Sequence, residues 1–191
     1  MKIAVLGWGS LIWNPTDLKI EDCWKTDGPF LPIEFARISK NWPLTLVVYP
    51  NASDVQVLWA FSAFKNFGEA IENLRYREGT SLNNIGFVCL QNKNNYCHHA
   101  HTKILPPIKC WAANKSIDAV IWTDLCSNFK EKRGKEFNED NVIEYLRSLN
   151  DATRCRAKEY ICKAPKQIET KIRGRIAQEF GWIPENYKIC Y

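Results

Sequence analysis

The sequence predicts an α+β domain with a small, mostly antiparallel sheet in its first half and a helical last third. Three observations carry this expectation: short β-branched or alternating runs between compact turn clusters, one amphipathic helical segment among them, and helical apolar spacing from residue 138 onward. With 191 residues, 46% of them hydrophobic, the chain is long enough for one well-cored unit and short for two. Residues 1–191 are therefore read as a single domain.

Ile3 to Leu6 is an unbroken apolar run, read as a buried strand. A loop rich in turn formers follows, with Asn14, Pro15, Asp27, Gly28, Pro29 and Pro32. Ile33 to Ile38 alternates Ile33 and Phe35 with Glu34, and Arg37 is the odd polar member of that pattern. Leu44 to Tyr49 (LTLVVY) and Val55 to Phe61 (VQVLWAF) are further strands. The connections, Ser39 to Pro43 and Pro50 to Asp54, are too short for a helical crossover and favour antiparallel pairing. Asn66 to Arg77 sets Phe67, Ala70, Ile71 and Leu74 at helical spacing, with Gly79 placed as a left-handed terminator. Strands resume at Ile85 to Leu90, Cys97 to Leu105 and Asp118 to Trp122. In the last third Val142, Tyr145, Leu146 and Leu149 make one helical stripe behind an Asn138 cap. Ala152 to Ala164 is a second helix, ended by Pro165, and Ile168, Ile172, Ile176 and Phe180 mark a third, closed by Gly181.

Composition limits the function classes. The 26 Lys and Arg against 21 Asp and Glu leave a net charge of +5, spread along the chain apart from Lys130, Lys132, Arg133 and Lys135. A nucleic-acid footprint would show a basic face interleaved with aromatics, so no nucleic-acid partner is expected. The eight cysteines contain no C-x-x-C pair and read as reduced, largely buried thiols of a cytoplasmic protein. Glycines and a serine interrupt the apolar N-terminus, and no run reaches the ~20 residues of a membrane helix, so no membrane partner is expected.

The first strand breaks on Gly7-Trp8-Gly9-Ser10. A dinucleotide fingerprint would need a third glycine at position 12, which is Ile12, and a helix where strands follow. A hydrolase elbow around Ser10 would need glycines at positions 8 and 12, which are Trp8 and Ile12. What remains is a turn whose backbone N–H groups at Gly9, Ser10 and Leu11 form an anion-binding nest for a carboxylate, with the Ser10 hydroxyl as a further donor.

LGWGSLIW (Leu6 to Trp13) resembles the YGSL signature of the γ-glutamylcyclotransferase-like family, especially its ChaC-like branch. That family carries an essential glutamate after a strand with a W-A or W-G element and a following helix. Here Val57 to Ala60 (VLWA) leads through the predicted helix into LRYREGT, which puts the glutamate at Glu78. The resemblance covers about the first ninety residues. It implies a barrel-like sheet with helices packed around it, and an intramolecular reaction in which the α-amine of a γ-glutamyl group attacks its own γ-carbonyl. The products are 5-oxoproline and an amine or peptide. In this reading Glu78 is catalytic, Trp8, Gly9, Ser10 and Leu11 bind a small γ-glutamyl substrate, and neither metal nor organic cofactor is required.

Residue spacing bears on Glu78 independently. It lies eleven residues after Phe67, which at about 100° per residue returns it to the apolar face of the helix. The plain alternative is a solvated turn residue with Arg75 or Arg77 as surface partner. Trp8 departs from the family's tyrosine, and an indole has a donor but no acceptor. All three histidines fall in CHHAH; on a strand, Cys97, His99 and His101 would share one face, but without a separate ligand pair a polar strand edge is the expected use and no metal is assigned. Arg37 could hold a substrate carboxylate, with a structural ion pair to Glu34 or another acid as the simpler use. Two functions of other classes stay open: a non-catalytic module binding a small carboxylate or a protein, and a nucleic-acid-associated protein using Arg154, Arg156, Lys158 and Lys163, which steep salt dependence would reveal.

Overall fold

The computed structural model describes residues 1–41, 43–91 and 97–185. Ile3–Gly7 (β1) is buried along its whole length because it is a central strand. It pairs antiparallel with Leu58–Phe61 (β5) on one side and parallel with Ala119–Thr123 (β8) on the other. A strand covered on both faces reads as a continuous apolar run, as this one does. Ile85–Cys89 (β6) pairs antiparallel with β8, and Cys97–His98 (β7) with β6, completing the order β5-β1-β8-β6-β7. A second sheet places Phe30–Ile38 (β2) between Leu44–Val48 (β3) and Asp54–Gln56 (β4), all antiparallel.

The run expected as one strand at 55–61 is divided at Val57, where the chain leaves one sheet for the other. Val57 N–H donates to the Pro29 carbonyl at 3.0 Å, and its own carbonyl accepts from Gly28 N–H at 3.1 Å, so the stretch stays paired across the break. Among the described residues the strands form two separate sheets, and they do not close into the expected barrel.

Phe67–Glu78 (α1) forms as expected, with the Asn66 side chain accepting from Glu69 N–H at 3.2 Å and Gly79 in the left-handed region at φ 57°. The expected strand from Cys97 to Leu105 is corrected. It stops at His98, and after a 3-10 turn over Thr102–Ile104 the chain enters a helix, Leu105–Asn114 (α2). Pro106 and Pro107 occupy the first turn of α2, where a missing N–H costs nothing. A short helix, Phe129–Arg133 (α3), carries part of the basic cluster and buries Phe129.

Glu139–Ser148 (α4), Asp151–Lys163 (α5) and Lys171–Phe180 (α6) are capped by the side chains of Asn138, Asn150 and Thr170. Two buried charges fasten them. Arg173, 4% exposed, donates to the carbonyls of Pro165, Ile168, Ile161 and Ala164 at 2.6–3.0 Å, joining the end of α5 to α6. Glu34 of β2 accepts from Ile172 N–H at 3.2 Å and Phe35 N–H at 2.7 Å, joining α6 to the second sheet. An acid at a helix N-terminus suits the dipole, but burial dominates and pushes the Glu34 carboxyl above its ordinary value, against the hydrogen bonds from Thr170 and the backbone.

The thiols are less buried than composition suggests. Cys89 and Cys162 are buried and Cys23 is partly so, but Cys110, Cys126 and Cys155 are exposed. Among the described residues no helix is long and apolar enough to cross a membrane.

Candidate functional site

The turn after β1, the end of α1 and the β2–β3 hairpin surround a cavity of about 500 Å³, with Tyr160 of α5 in its wall. This volume falls within the range of small-molecule sites. Trp8, Gly9, Ser10, Leu11 and Glu78 all line it, so the two sequence motifs face one space.

Glu78 is the last helical residue of α1, immediately before the left-handed Gly79. Its carboxylate accepts from Arg77 Nη1, and the two side chains are only 16% and 9% exposed. The alternative of a solvated turn residue named the right partner but the wrong environment. Arg77 also reaches the turn after β1, donating from Nη2 to the Asn14 carbonyl at 2.6 Å and to Ser10 Oγ at 3.3 Å. One guanidinium therefore fixes the carboxylate relative to Ser10, which reduces the rotational freedom either group must lose on binding a ligand.

The turn itself differs from the expected nest. No residue from Gly7 to Leu11 has positive φ. Instead Ile12 N–H donates to the Gly9 carbonyl at 3.1 Å and Asn14 N–H to the Ser10 carbonyl at 2.9 Å, a single helix-like turn without the right-left alternation of a nest. The glycines serve close packing. A Cβ at Gly7 would lie 2.6 Å from the Trp24 ring, and one at Gly9 would overlap the Tyr160 hydroxyl. Trp8 and Leu11 are each 6% exposed and form apolar wall.

Tyr160 is a site residue that the sequence alone did not single out. Its ring packs edge-on against Trp13 and Phe35, at centroid distances of 5.2 and 6.4 Å. Burial, with the Glu78 charge adding to it, holds the phenol well above its ordinary value, against the backbone N–H groups of Leu46 and Ser10 and the Arg77 cation. The phenol stays protonated and can donate a hydrogen bond.

Arg37 also lines the cavity, and a β-bulge puts it there. Regular alternation would place it on the face of Ile33 and Phe35, both fully buried. The register shifts between Phe35 and Arg37, so Arg37 pairs with Thr45, another residue of the cavity wall. The expected ion pair with Glu34 is absent, because Glu34 is turned to α6. Comparison with protein-family models, curated proteins and solved structures returned no match.

The CHHAH segment leaves its strand after His98, so Cys97, His99 and His101 do not share a strand face. His98 Nε2 lies 3.1 Å from the Asn83 carbonyl, and His101 Nε2 lies 3.8 Å from Cys126 Sγ. Burial lowers the affinity of His101 for a proton, partly offset by Asp124. Among the described residues no three His, Cys, Asp or Glu side chains are grouped to hold a metal.

Proposed function

We propose that this chain is a γ-glutamylcyclotransferase-like enzyme, a lyase that converts a γ-glutamyl amine or peptide to 5-oxoproline and the free amine. The observation that carries the reading is the meeting of Glu78 with residues 8–11 around one cavity of small-molecule size. Glu78 takes the proton of the substrate's α-ammonium, the freed nitrogen attacks the γ-carbonyl carbon, and the bond to the departing nitrogen breaks as the carboxyl returns a proton to it. The α-nitrogen loses two protons in becoming the ring amide, and the departing nitrogen gains two in leaving as ammonium. The reaction is redox-neutral and consumes no water. Arg77 holds the Glu78 carboxylate against the Ser10 turn, and Tyr160 adds a protonated hydroxyl to the same wall. Holding the chain bent for a five-membered ring supplies much of the rate.

The fold belongs to the same proposal, which reads the two sheets as an opened counterpart of the family's barrel and is supported by the stretch at 54–61 that passes from one sheet to the other. So does a cytoplasmic location, supported by Cys89, Cys110, Cys126, Cys155 and Cys162, which form no disulfide.

The test is 5-oxoproline release from a panel of γ-glutamyl peptides and amines. Wild type is expected to release it, and Glu78→Gln is expected to lose about 10²- to 10⁴-fold in turnover. Full turnover in Glu78→Gln would overturn the mechanism. One observation favours a second reading, a binding module without turnover: the Glu78 carboxylate is already engaged by Arg77. Ligand binding by a wild type inactive on every substrate would select that reading.

A further inference from the structure

We propose that Arg37 anchors a carboxylate of the ligand that occupies this cavity. Four observations converge on it. The bulge in β2 takes Arg37 off the core face and aligns it with Thr45, so a structural irregularity delivers this side chain to the cavity wall. Its Nη1 donates to the Cys126 carbonyl at 2.6 Å, a contact that orients the guanidinium and leaves its charge uncompensated. Among the described residues it makes no ion pair, and the acid three positions earlier, Glu34, is committed to α6. The other charged residues of the wall are Lys40 and Glu78, and Glu78 is balanced by Arg77, so the cavity carries uncompensated positive charge.

A planar guanidinium with free donors is matched by a carboxylate, which accepts two of them in parallel. The wall adds an uncharged group: Thr123 Oγ1 is buried, lines the cavity and has no hydrogen-bond partner. A buried hydroxyl left unpaired is costly until a ligand satisfies it. The anchor replaces the backbone nest that the turn after β1 was expected to supply, since that turn lacks the alternation a nest requires.

The proposal concerns binding and stands whether or not Glu78 turns the ligand over. The experiment is calorimetric binding to Glu78→Gln, with and without Arg37→Gln. The probes are γ-glutamylglycine, its C-terminal amide, its α-carboxamide analogue, and glutarate. Arg37→Gln is expected to weaken γ-glutamylglycine by about tenfold, the scale of one charge-assisted pair. The analogue lacking the contacted carboxylate is expected to bind about tenfold more weakly than γ-glutamylglycine and to be indifferent to Arg37→Gln, which identifies the carboxylate by coupling. Arg37→Lys is expected to recover part of the loss, and a thermal melt of each variant reports folding. The anchor is overturned if Arg37→Gln weakens all four probes equally, if it weakens none, or if no probe binds. Arg37-dependent binding of glutarate and γ-glutamylglycine, with no 5-oxoproline from wild type, would sink the enzymatic reading and leave the anchor intact.

Discussion

Gly9 is tolerated only as glycine because the Tyr160 hydroxyl occupies the space a Cβ would take, while Tyr160 Cζ lies at an ordinary 3.4 Å. Gly9→Ala is therefore expected to destabilise by about 1–3 kcal/mol through overpacking. Removing the hydroxyl makes room, so Tyr160→Phe in the same chain should recover most of the loss, a coupling that a urea-denaturation double-mutant cycle measures. Additive losses would mean that the turn is strained for another reason. At this scale the sequence was uneven. That Glu78 and residues 8–11 face one cavity followed from the family resemblance, whose two motifs sit beside local landmarks, a helix end and a broken strand. Tyr160 was not legible, since nothing in its own helix marks an aromatic that closes on a turn 151 residues earlier in the chain. Arg37 did leave a trace, as the polar member of an apolar alternation, and the bulge is the physical resolution of that mismatch.

Among elements, caps were read well and context-dependent choices were not. Gly79, Asn138 and Gly181 act as their positions predict, because a cap is satisfied by its nearest few backbone groups. Helix α2 was missed because its two prolines suggest a break when read alone, although they are harmless in a first turn. The attachment of α6 to β2 was hidden as well, since it depends on a buried acid 138 residues away from the N–H it accepts. That acid makes stability depend on pH. Burial raises the Glu34 carboxyl above its ordinary 4.5, so the folded chain binds this proton more tightly than the unfolded chain. Its contribution to stability then falls as pH rises from about 4.5 through the raised folded value, and is regained on acidification through the same window. Glu34→Gln, which cannot titrate, is expected to flatten that segment of the stability profile in urea titrations. An unchanged slope would locate the pH dependence in other groups.

The largest-scale features depend on pairings that no local window contains, such as the parallel contact of β1 with β8 and the sharing of 54–61 between two sheets. The alternation of strands and turns fixed the α+β class, but closure of a sheet is a property of edges, and edges carry no signature in a single strand. Within the helical third, α5 and α6 are held together by Arg173, whose guanidinium serves four carbonyls at the junction of α5, the following loop and α6. A hydrophobic replacement removes the charge and its burial cost but cannot remove those carbonyls, which are backbone. This distinguishes it from a buried side-chain pair that can be exchanged whole. Arg173→Leu is expected to lower stability by about 1–3 kcal/mol, the cost of leaving buried acceptors unpaired. Because Arg173 binds the Ile161 carbonyl, next to Tyr160, the same variant should loosen the cavity wall and weaken ligand binding even where it remains folded. Equilibrium unfolding together with calorimetry at low temperature separates the two effects. A stable Arg173→Leu with wild-type affinity would show that α5 is positioned by its apolar contacts alone.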